Sequence, residues 1–76
     1  MSGETITDIH RQRLLELSMF LRELRINSGF SQSEVSSLHR NTLIRIENSH
    51  NFNIISLFEL ADFYDISVSE IFEGIE

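Results

Sequence analysis

The chain has 76 residues, enough for one domain, and its 41% hydrophobic content with six phenylalanines can fill a compact core. It contains no cysteine, which excludes disulfides and thiolate zinc sites, and its net charge of −6 argues against a nonspecific nucleic-acid binder. No apolar run reaches the roughly 18 residues that span a bilayer, and residues 1–4 lack signal-peptide features, so we expect a soluble cytoplasmic protein.

The charge is distributed unevenly along the chain. All six basic residues are arginines, and the last of them is Arg45. Residues 1–45 carry these six arginines and five acids, a net charge of +1, whereas residues 46–76 carry seven acids and no base, a net charge of −7. The first part can therefore approach phosphates, and the second would repel them.

Apolar residues recur at steps of three and four, which indicates helices rather than strands. The first predicted helix begins after Thr7, a plausible N-cap, and runs for about 20 residues to Gly29, a residue type that often ends helices. Its core-facing stripe is Leu14, Leu17, Phe20, Leu21 and Leu24. Residues 9–15 of this helix could pack against their own domain or against a partner subunit.

The second predicted helix begins with Ser31 as N-cap, and Glu34 completes a capping box. The third covers about residues 40–48 and buries Leu43 and Ile46. Because His39 is a poor N-cap by residue type, a later start capped by Asn41 is an alternative.

Two further helices are predicted in the C-terminal part. The fourth starts after Asn53 and buries Leu57, Leu60, Ala61 and one of Phe58 or Phe63. The fifth opens with a second capping box, Ser67-Val68-Ser69-Glu70, and is anchored by Ile71 and Phe72. Five amphipathic helices with short turns predict a compact all-α fold, with residues 1–76 as a single domain.

Five short motifs follow one another at characteristic spacing: Leu21-Arg22-Glu23-Leu24-Arg25, Gly29-Phe30-Ser31-Gln32, Arg45-Ile46-Glu47-Asn48, Leu60-Ala61 and Ile66-Ser67-Val68-Ser69-Glu70-Ile71-Phe72. Together they resemble the phage-repressor and Cro family of helix-turn-helix transcriptional regulators, of the xenobiotic-response-element type. The resemblance covers residues 17–73 and implies a five-helix, lambda-repressor-like domain that binds operator DNA, usually as a homodimer. Residues 1–16 form an N-terminal extension of the first helix without a counterpart in the family core.

The resemblance also implies which residues touch double-stranded DNA. The third predicted helix would enter the major groove, where Arg40 could hold guanine and Asn41 adenine, while Gln32 would donate to a phosphate. The full implied set of DNA contacts is Gln32, His39, Arg40, Asn41, Thr42, Arg45 and Asn48. Arg25 and Glu47 have a different implied role, since they resemble an ion pair that ties the first helix to the end of the third.

The chain departs from the family pattern between Gln32 and Glu47, where it is about three residues shorter. Three helical residues correspond to about 300° of rotation, so the apolar faces stay nearly in phase, but the third helix could sit closer to the second. Ser49 replaces the usual glycine, and Ile44 is expected on the outward face. An alternative function is therefore a protein–protein interaction module that does not bind DNA.

Chemistry other than binding has little support in the sequence. His10, His39 and His50 are not spaced as metal ligands, and no glycine-rich phosphate loop, paired-carboxylate cleft or nucleophile turn is present. We therefore expect no enzymatic activity, no metal or other cofactor, no small-molecule substrate and no membrane partner.

Overall fold

A computed structural model describes residues 7–73 and 75. They form four α-helices and one 3-10 turn: α1 (Asp8–Asn27), the 3-10 turn (Gln32–Glu34), α2 (Arg40–Glu47), α3 (Ile54–Tyr64) and α4 (Val68–Phe72). The described part of the chain is all-helical, with four α-helices where the sequence predicts five, and none of these helices is long and apolar enough to cross a membrane. Residues 1–6, including the N-terminus assessed for a signal peptide and the start of the predicted extension, lie outside the described residues.

The limits predicted for α1 are confirmed. The Thr7 hydroxyl accepts a hydrogen bond from the backbone N–H of His10 at 3.3 Å, so Thr7 caps the helix. The helix spans 20 residues and ends before Gly29, whose φ of 85° is easily adopted only by a residue without a Cβ. Leu17 and Leu21 of the predicted stripe are buried, and Phe20 packs against the core.

The predicted second α-helix is wrong, because the chain forms only a 3-10 turn there. Glu34 accepts from the backbone N–H of Ser31 at 2.8 Å, as a capping box requires, but Val35 then leaves the helical region with a ψ of 89°. Val35 is buried in the core, and Ser36 and Ser37 follow, a residue type that competes with helical backbone bonds. The segment turns inward at Val35, and residues 36–39 lead from there to α2.

α2 corresponds to the third predicted helix and ends one residue earlier than predicted. His39 is its N-cap, with Nδ1 accepting from the backbone N–H of Asn41 at 3.1 Å, so the alternative start capped by Asn41 is wrong. A neutral imidazole nitrogen can accept a hydrogen bond as a cap oxygen does. Leu43 and Ile46 are buried as predicted, whereas Ile44 is half-buried and does not point fully outward.

α3 and α4 begin where the sequence predicts. Asn53 Oδ1 accepts from the backbone N–H of Ile55 at 2.7 Å, and Glu70 donates its backbone N–H to the Ser67 hydroxyl at 3.2 Å. Phe63 packs on the core whereas Phe58 is exposed. The predicted anchoring role of Phe72 is wrong: consecutive helical residues point about 100° apart, and Ile71 takes the buried position.

The core collects apolar residues from every α-helix, together with Val35. Beside it, the rings of Phe30 and Phe63 pack at a tilt of 59° with centroids 4.9 Å apart, and Tyr64 meets Phe63 edge-on at 5.2 Å. This aromatic cluster joins the turn after α1 to the end of α3 and thereby fixes the support on which α2 rests.

Candidate nucleic-acid interface

The C-terminal end of α2 is fastened to α1 by a buried hydrogen bond. The Ser18 hydroxyl donates to the backbone carbonyl of Ile46 at 2.6 Å, and Ser18 is 1% exposed. The Ile46 carbonyl also accepts from the backbone N–H of Ser49 at 3.2 Å, so Ser18 supplies a second donor to a carbonyl at the end of the helix. Ser18 is not among the residues predicted from the sequence, although its position four residues after Leu14 and three before Leu21 places it on the core-facing side of the helix.

A second connection at the same end is the ion pair between Arg25 and Glu47. Arg25 Nε donates to Glu47 Oε2 at 2.7 Å and Nη2 donates to Oε1 at 3.1 Å, a bidentate arrangement. The two side chains are only 12% and 3% exposed. The hydrogen bond and charge of Glu47 raise the pKa of Arg25, against the opposing effect of burial. Arg25 Nη1 also donates to the Phe30 carbonyl at 2.8 Å, which attaches the turn after α1 to this pair.

Gln32 belongs to the same network. Its side-chain amide donates to Glu47 Oε1 at 3.1 Å, so the 3-10 turn is joined to the last residue of α2. Phosphate contact by Gln32 stays a prediction, and it would have to use the second amide N–H, because the first is occupied.

The start of the 3-10 turn already holds a negative charge. The Glu34 carboxylate accepts from the backbone N–H of Ser31, and this hydrogen bond, with a smaller contribution from the Ser31 side chain, holds the pKa of Glu34 below its usual value. A phosphate approaching the same N–H would have to displace this carboxylate. Any phosphate contact at the turn therefore depends on the side chain of Gln32 rather than on the helix end.

The N-terminal turn of α2 is arranged differently from its C-terminal end. His39, Arg40 and Asn41 are exposed. Of the two residues between the buried Leu43 and Ile46, Arg45 is exposed and Ile44 is half-buried. Residues four and seven positions apart share one helix face, so Asn41, Arg45 and Asn48 form a polar strip that faces away from the core. Thr42, another of the residues predicted to contact DNA, has a half-buried side chain.

The N-cap also orients the ring of His39. Because Nδ1 accepts the hydrogen bond from Asn41, the neutral ring carries its proton on Nε2, which is left as a donor on an exposed side chain. The start of α2 thus presents donors from His39, Arg40 and Asn41 side by side, the groups that recognise purine edges.

The charge on α2 favours contact with an anion. Its three ionisable residues are Arg40, Arg45 and Glu47, and Glu47 is buried against Arg25. The exposed surface of α2 is therefore positive in an acidic protein, since the C-terminal acids lie after it, on α3, α4 and the segments around them.

A helix-turn-helix family model matches residues 21–71, which is more than half of the chain and extends from the middle of α1 to Ile71 in α4. The chain belongs to the helix-turn-helix family of the Cro/C1 type. A search of curated proteins and a search of solved structures find no match. Membership of this family indicates a DNA-binding transcription regulator that acts on double-stranded DNA.

In this helix-turn-helix domain the first helix of the motif is reduced to the 3-10 turn, and α2 is the second. The turn keeps its place because Gln32 and Arg25 both bond Glu47, while Val35 fills the core. The shortened segment therefore retains a fixed support for α2 without a full α-helix.

The pKa of Tyr64 is affected by the charges of Arg25 and Glu47. Burial, with a further contribution from the Glu47 carboxylate, raises the pKa of Tyr64 to about 12, and Arg25 opposes the rise. Elsewhere in the described residues, no group of three histidine, aspartate or glutamate side chains is placed to hold a metal ion.

Proposed function

We propose that this helix-turn-helix protein is a sequence-specific transcription regulator that inserts α2 into the major groove of operator DNA. The observation that carries the proposal is the contrast within α2. Arg40, Asn41 and Arg45 are exposed, whereas Glu47, the acid of the same helix, is buried in an ion pair. A helix with this surface can approach the duplex without presenting a carboxylate to it.

In this proposal the base contacts come from the N-terminal turn of α2. Arg40 holds the O6 and N7 acceptors of guanine, and Asn41 pairs with N6 and N7 of adenine. His39 contributes the Nε2–H donor that its cap bond orients, and Arg45 reaches a base one turn further along the helix.

The remaining implied contacts would set the register on the sugar–phosphate backbone. Thr42 is half-buried in the first turn of α2 and Asn48 is exposed at its C-cap, and both carry neutral donors suited to phosphate oxygens. Gln32 would add its second amide N–H from the 3-10 turn. These contacts position the helix and carry no sequence information directly.

We further propose that the protein acts as a homodimer on a two-fold-symmetric site. α2 has eight residues, about two turns, and reads too few base pairs alone for useful affinity. We also propose that the chain is of the xenobiotic-response-element type of the family, which its five motifs together resemble. The protein would be a DNA-binding regulator of the cytoplasm and not an enzyme.

The alternative of a protein-interaction module is weakened by the half-burial of Ile44, the residue on which that hypothesis depends. The two hypotheses differ in which substitution should impair binding to operator DNA. Arg40→Ala should weaken the preference for the operator, whereas Ile44→Ser should leave operator preference intact in any molecules that remain folded.

Selection from a random DNA library at low salt tests the proposal. The wild-type protein should enrich a palindromic sequence, and log K should fall with log salt concentration with a slope of about −5 if a dimer contacts about six phosphates. Arg11→Ala, which removes one exposed arginine from α1, is the matched control for Arg40→Ala and should select the wild-type site. Failure of the wild-type protein to enrich any sequence would refute the proposal.

A further inference from the structure

The solvent-facing side of α3 is more apolar than the exposed side of a helix normally is. Eight of the eleven residues of α3 are aliphatic or aromatic, and three of them are fully buried. The exposed residues of this helix, which we call its outer face, are Ile54, Ile55, Phe58, Glu59 and Asp62. The three apolar members are 51%, 55% and 42% exposed. Because a surface helix usually carries polar residues opposite its core-facing stripe, this face is suited to being covered.

The outer face changes in character along the helix. Ile54, Phe58 and Asp62 follow one another in a single row, since four residues advance only about 40° around the axis. Ile55 and Glu59 form the row beside it. The N-terminal part of both rows is therefore apolar and the C-terminal part acidic. Rows of residues four apart are the ridges that pack into the grooves of another helix, so the shape of this face fits a helical partner.

The charge of the outer face is entirely negative. Neither Glu59 nor Asp62 has a side-chain hydrogen bond or an ion pair with another described residue. No lysine or arginine follows Arg45 in the chain, so α3 carries no cation of its own. Two copies paired through this face would bring only carboxylates of α3 together, whereas a partner with lysine or arginine would find carboxylates that are not yet paired. The same acids oppose contact with the phosphates of DNA.

We propose that the outer face of α3 binds an amphipathic helix of another protein. The apolar stripe of that helix covers Ile54, Ile55 and Phe58, and its lysine or arginine side chains meet Glu59 and Asp62. Three apolar side chains make a small contact, so the complex is of the transient kind. No residue of this face belongs to α2 or to the 3-10 turn, so the inference goes beyond the proposed function and does not depend on it.

Titration of the isotope-labelled full chain with defined peptides, followed by nuclear magnetic resonance, tests the proposal. The first peptide is a helix with a leucine stripe flanked by lysines. The second keeps the leucines and has glutamate in place of lysine, and the third keeps the lysines and has serine in place of leucine. The first peptide should give saturable shifts centred on residues 54–62. The other two should bind at least about tenfold more weakly, because each lacks one half of the complementarity.

A substitution on the outer face separates this site from other acidic and apolar surface. Phe58→Ser should weaken binding of the leucine–lysine peptide at least about tenfold, and Ile55→Ser provides a second variant at an exposed position. Phe72→Ser is the matched control. Phe72 is 43% exposed and lies between Glu70 and Glu73, so it has a similar setting on α4, and its replacement should leave the affinity unchanged.

A charge reversal tests the acidic part of the face. The double variant Glu59→Lys with Asp62→Lys should bind the leucine–glutamate peptide more tightly than the leucine–lysine peptide. The control is Glu23→Lys with Glu73→Lys, which changes the net charge of the chain by the same amount at exposed positions outside α3. This control should keep the wild-type preference for lysine, because the preference depends on the local carboxylates and not on the overall charge.

Four results would overturn the assignment. They are equal affinity of the wild-type protein for the lysine and glutamate peptides, shifts centred outside residues 54–62, and a loss of affinity in Phe72→Ser as large as in Phe58→Ser. The fourth is a wild-type dimer in sedimentation equilibrium that Phe58→Ser dissociates, because a second copy of the chain would then occupy the outer face of α3.

Discussion

The two ends of α2 are built for different tasks. At the C-terminal end, Ser18 bonds the Ile46 carbonyl, while Arg25 and Gln32 both bond Glu47, so α1 and the 3-10 turn converge on the last two residues. At the N-terminal end, the side-chain bond is the cap by His39, and the neighbouring side chains face solvent. This two-turn helix is thus anchored at its C-terminal end and exposed at its N-terminal end, and Arg40 and Glu47 lie about 10 Å apart along its axis.

The largest expected effect is at the anchored end. Glu47→Ala leaves Arg25 charged and nearly buried and removes the acceptor of Gln32, so we expect a loss of about 3–5 kcal/mol in the free energy of unfolding. Urea denaturation followed by circular dichroism measures it. Glu59→Ala, which removes an exposed acid from α3, is the control and should change stability by less than about 0.5 kcal/mol.

A double-mutant cycle separates the pair from its surroundings. If Arg25→Ala and Glu47→Ala destabilise through loss of the same contact, the double variant should be much less destabilised than the sum of the two. Additive effects would show that the ion pair does not join α1 to α2 in solution.

The next largest effect concerns the presented end. Arg40→Ala should cost about 1–3 kcal/mol of binding free energy per half-site of the selected operator, while the unfolding free energy changes by less than about 0.5 kcal/mol. Fluorescence anisotropy on the operator and on single-base variants of it measures the loss, with Arg11→Ala as the control. If Arg40→Ala weakens all sequences equally and lowers the salt slope of the dimer by about two, one for each subunit, Arg40 contacts a phosphate and does not read a base.

A smaller effect is expected for Ser18→Ala. The variant loses the 2.6 Å hydrogen bond to the Ile46 carbonyl, which keeps a second donor in the backbone N–H of Ser49 at 3.2 Å. Because that carbonyl is not left unpaired, the cost should be about 1 kcal/mol in urea denaturation, with operator affinity unchanged for the folded protein. Ser36→Ala, at an exposed position, should be neutral. A Ser18→Ala protein as stable as the wild type would remove this contact from the anchor.

The same contrast explains which features follow from the sequence. Exposure of Asn41 follows from helical phase once Leu43 and Ile46 are assigned to the core, because at 100° per residue Asn41 points about 140–160° away from both. Arg40 points only about 60° from Leu43, and its exposure comes from its position as the first residue of α2. The bond between Gln32 and Glu47 could not be predicted in this way. It depends on how near the shortened turn brings two elements that are 15 residues apart in the chain.

The two capping boxes show that the length of a helix is harder to predict from the sequence than its start. Ser31-Gln32-Ser33-Glu34 and Ser67-Val68-Ser69-Glu70 have the same pattern, and both place the glutamate carboxylate on the serine backbone N–H. One opens a 3-10 turn and the other opens α4. The box specifies where a helix starts, whereas its continuation depends on whether the following residues can reach the core without leaving the helix, as Ile71 does and Val35 does not.

The smallest expected effect is a change in the pKa of Tyr64, which depends on the charges at the C-terminal end of α2. Tyr64 is the single tyrosine of a chain without tryptophan, so the ultraviolet absorbance of phenolate follows it directly. Burial and the Glu47 carboxylate raise its pKa from 10.0 to about 12 in the folded protein. Since the folded pKa lies above the unfolded one, the associated stabilisation is complete below pH 10 and is lost as the pH rises towards 12.

The wild-type protein should therefore titrate well above the same protein in denaturant. Glu47→Gln should lower the folded pKa, because it removes the nearby negative charge and leaves Arg25 to favour phenolate. Arg40→Ala, at the other end of α2, should leave the titration unchanged. A folded protein whose tyrosine titrates as in denaturant would mean that Tyr64 is not packed beside the ion pair, and the anchored end would then be more open to water than the geometry of Arg25 and Glu47 implies.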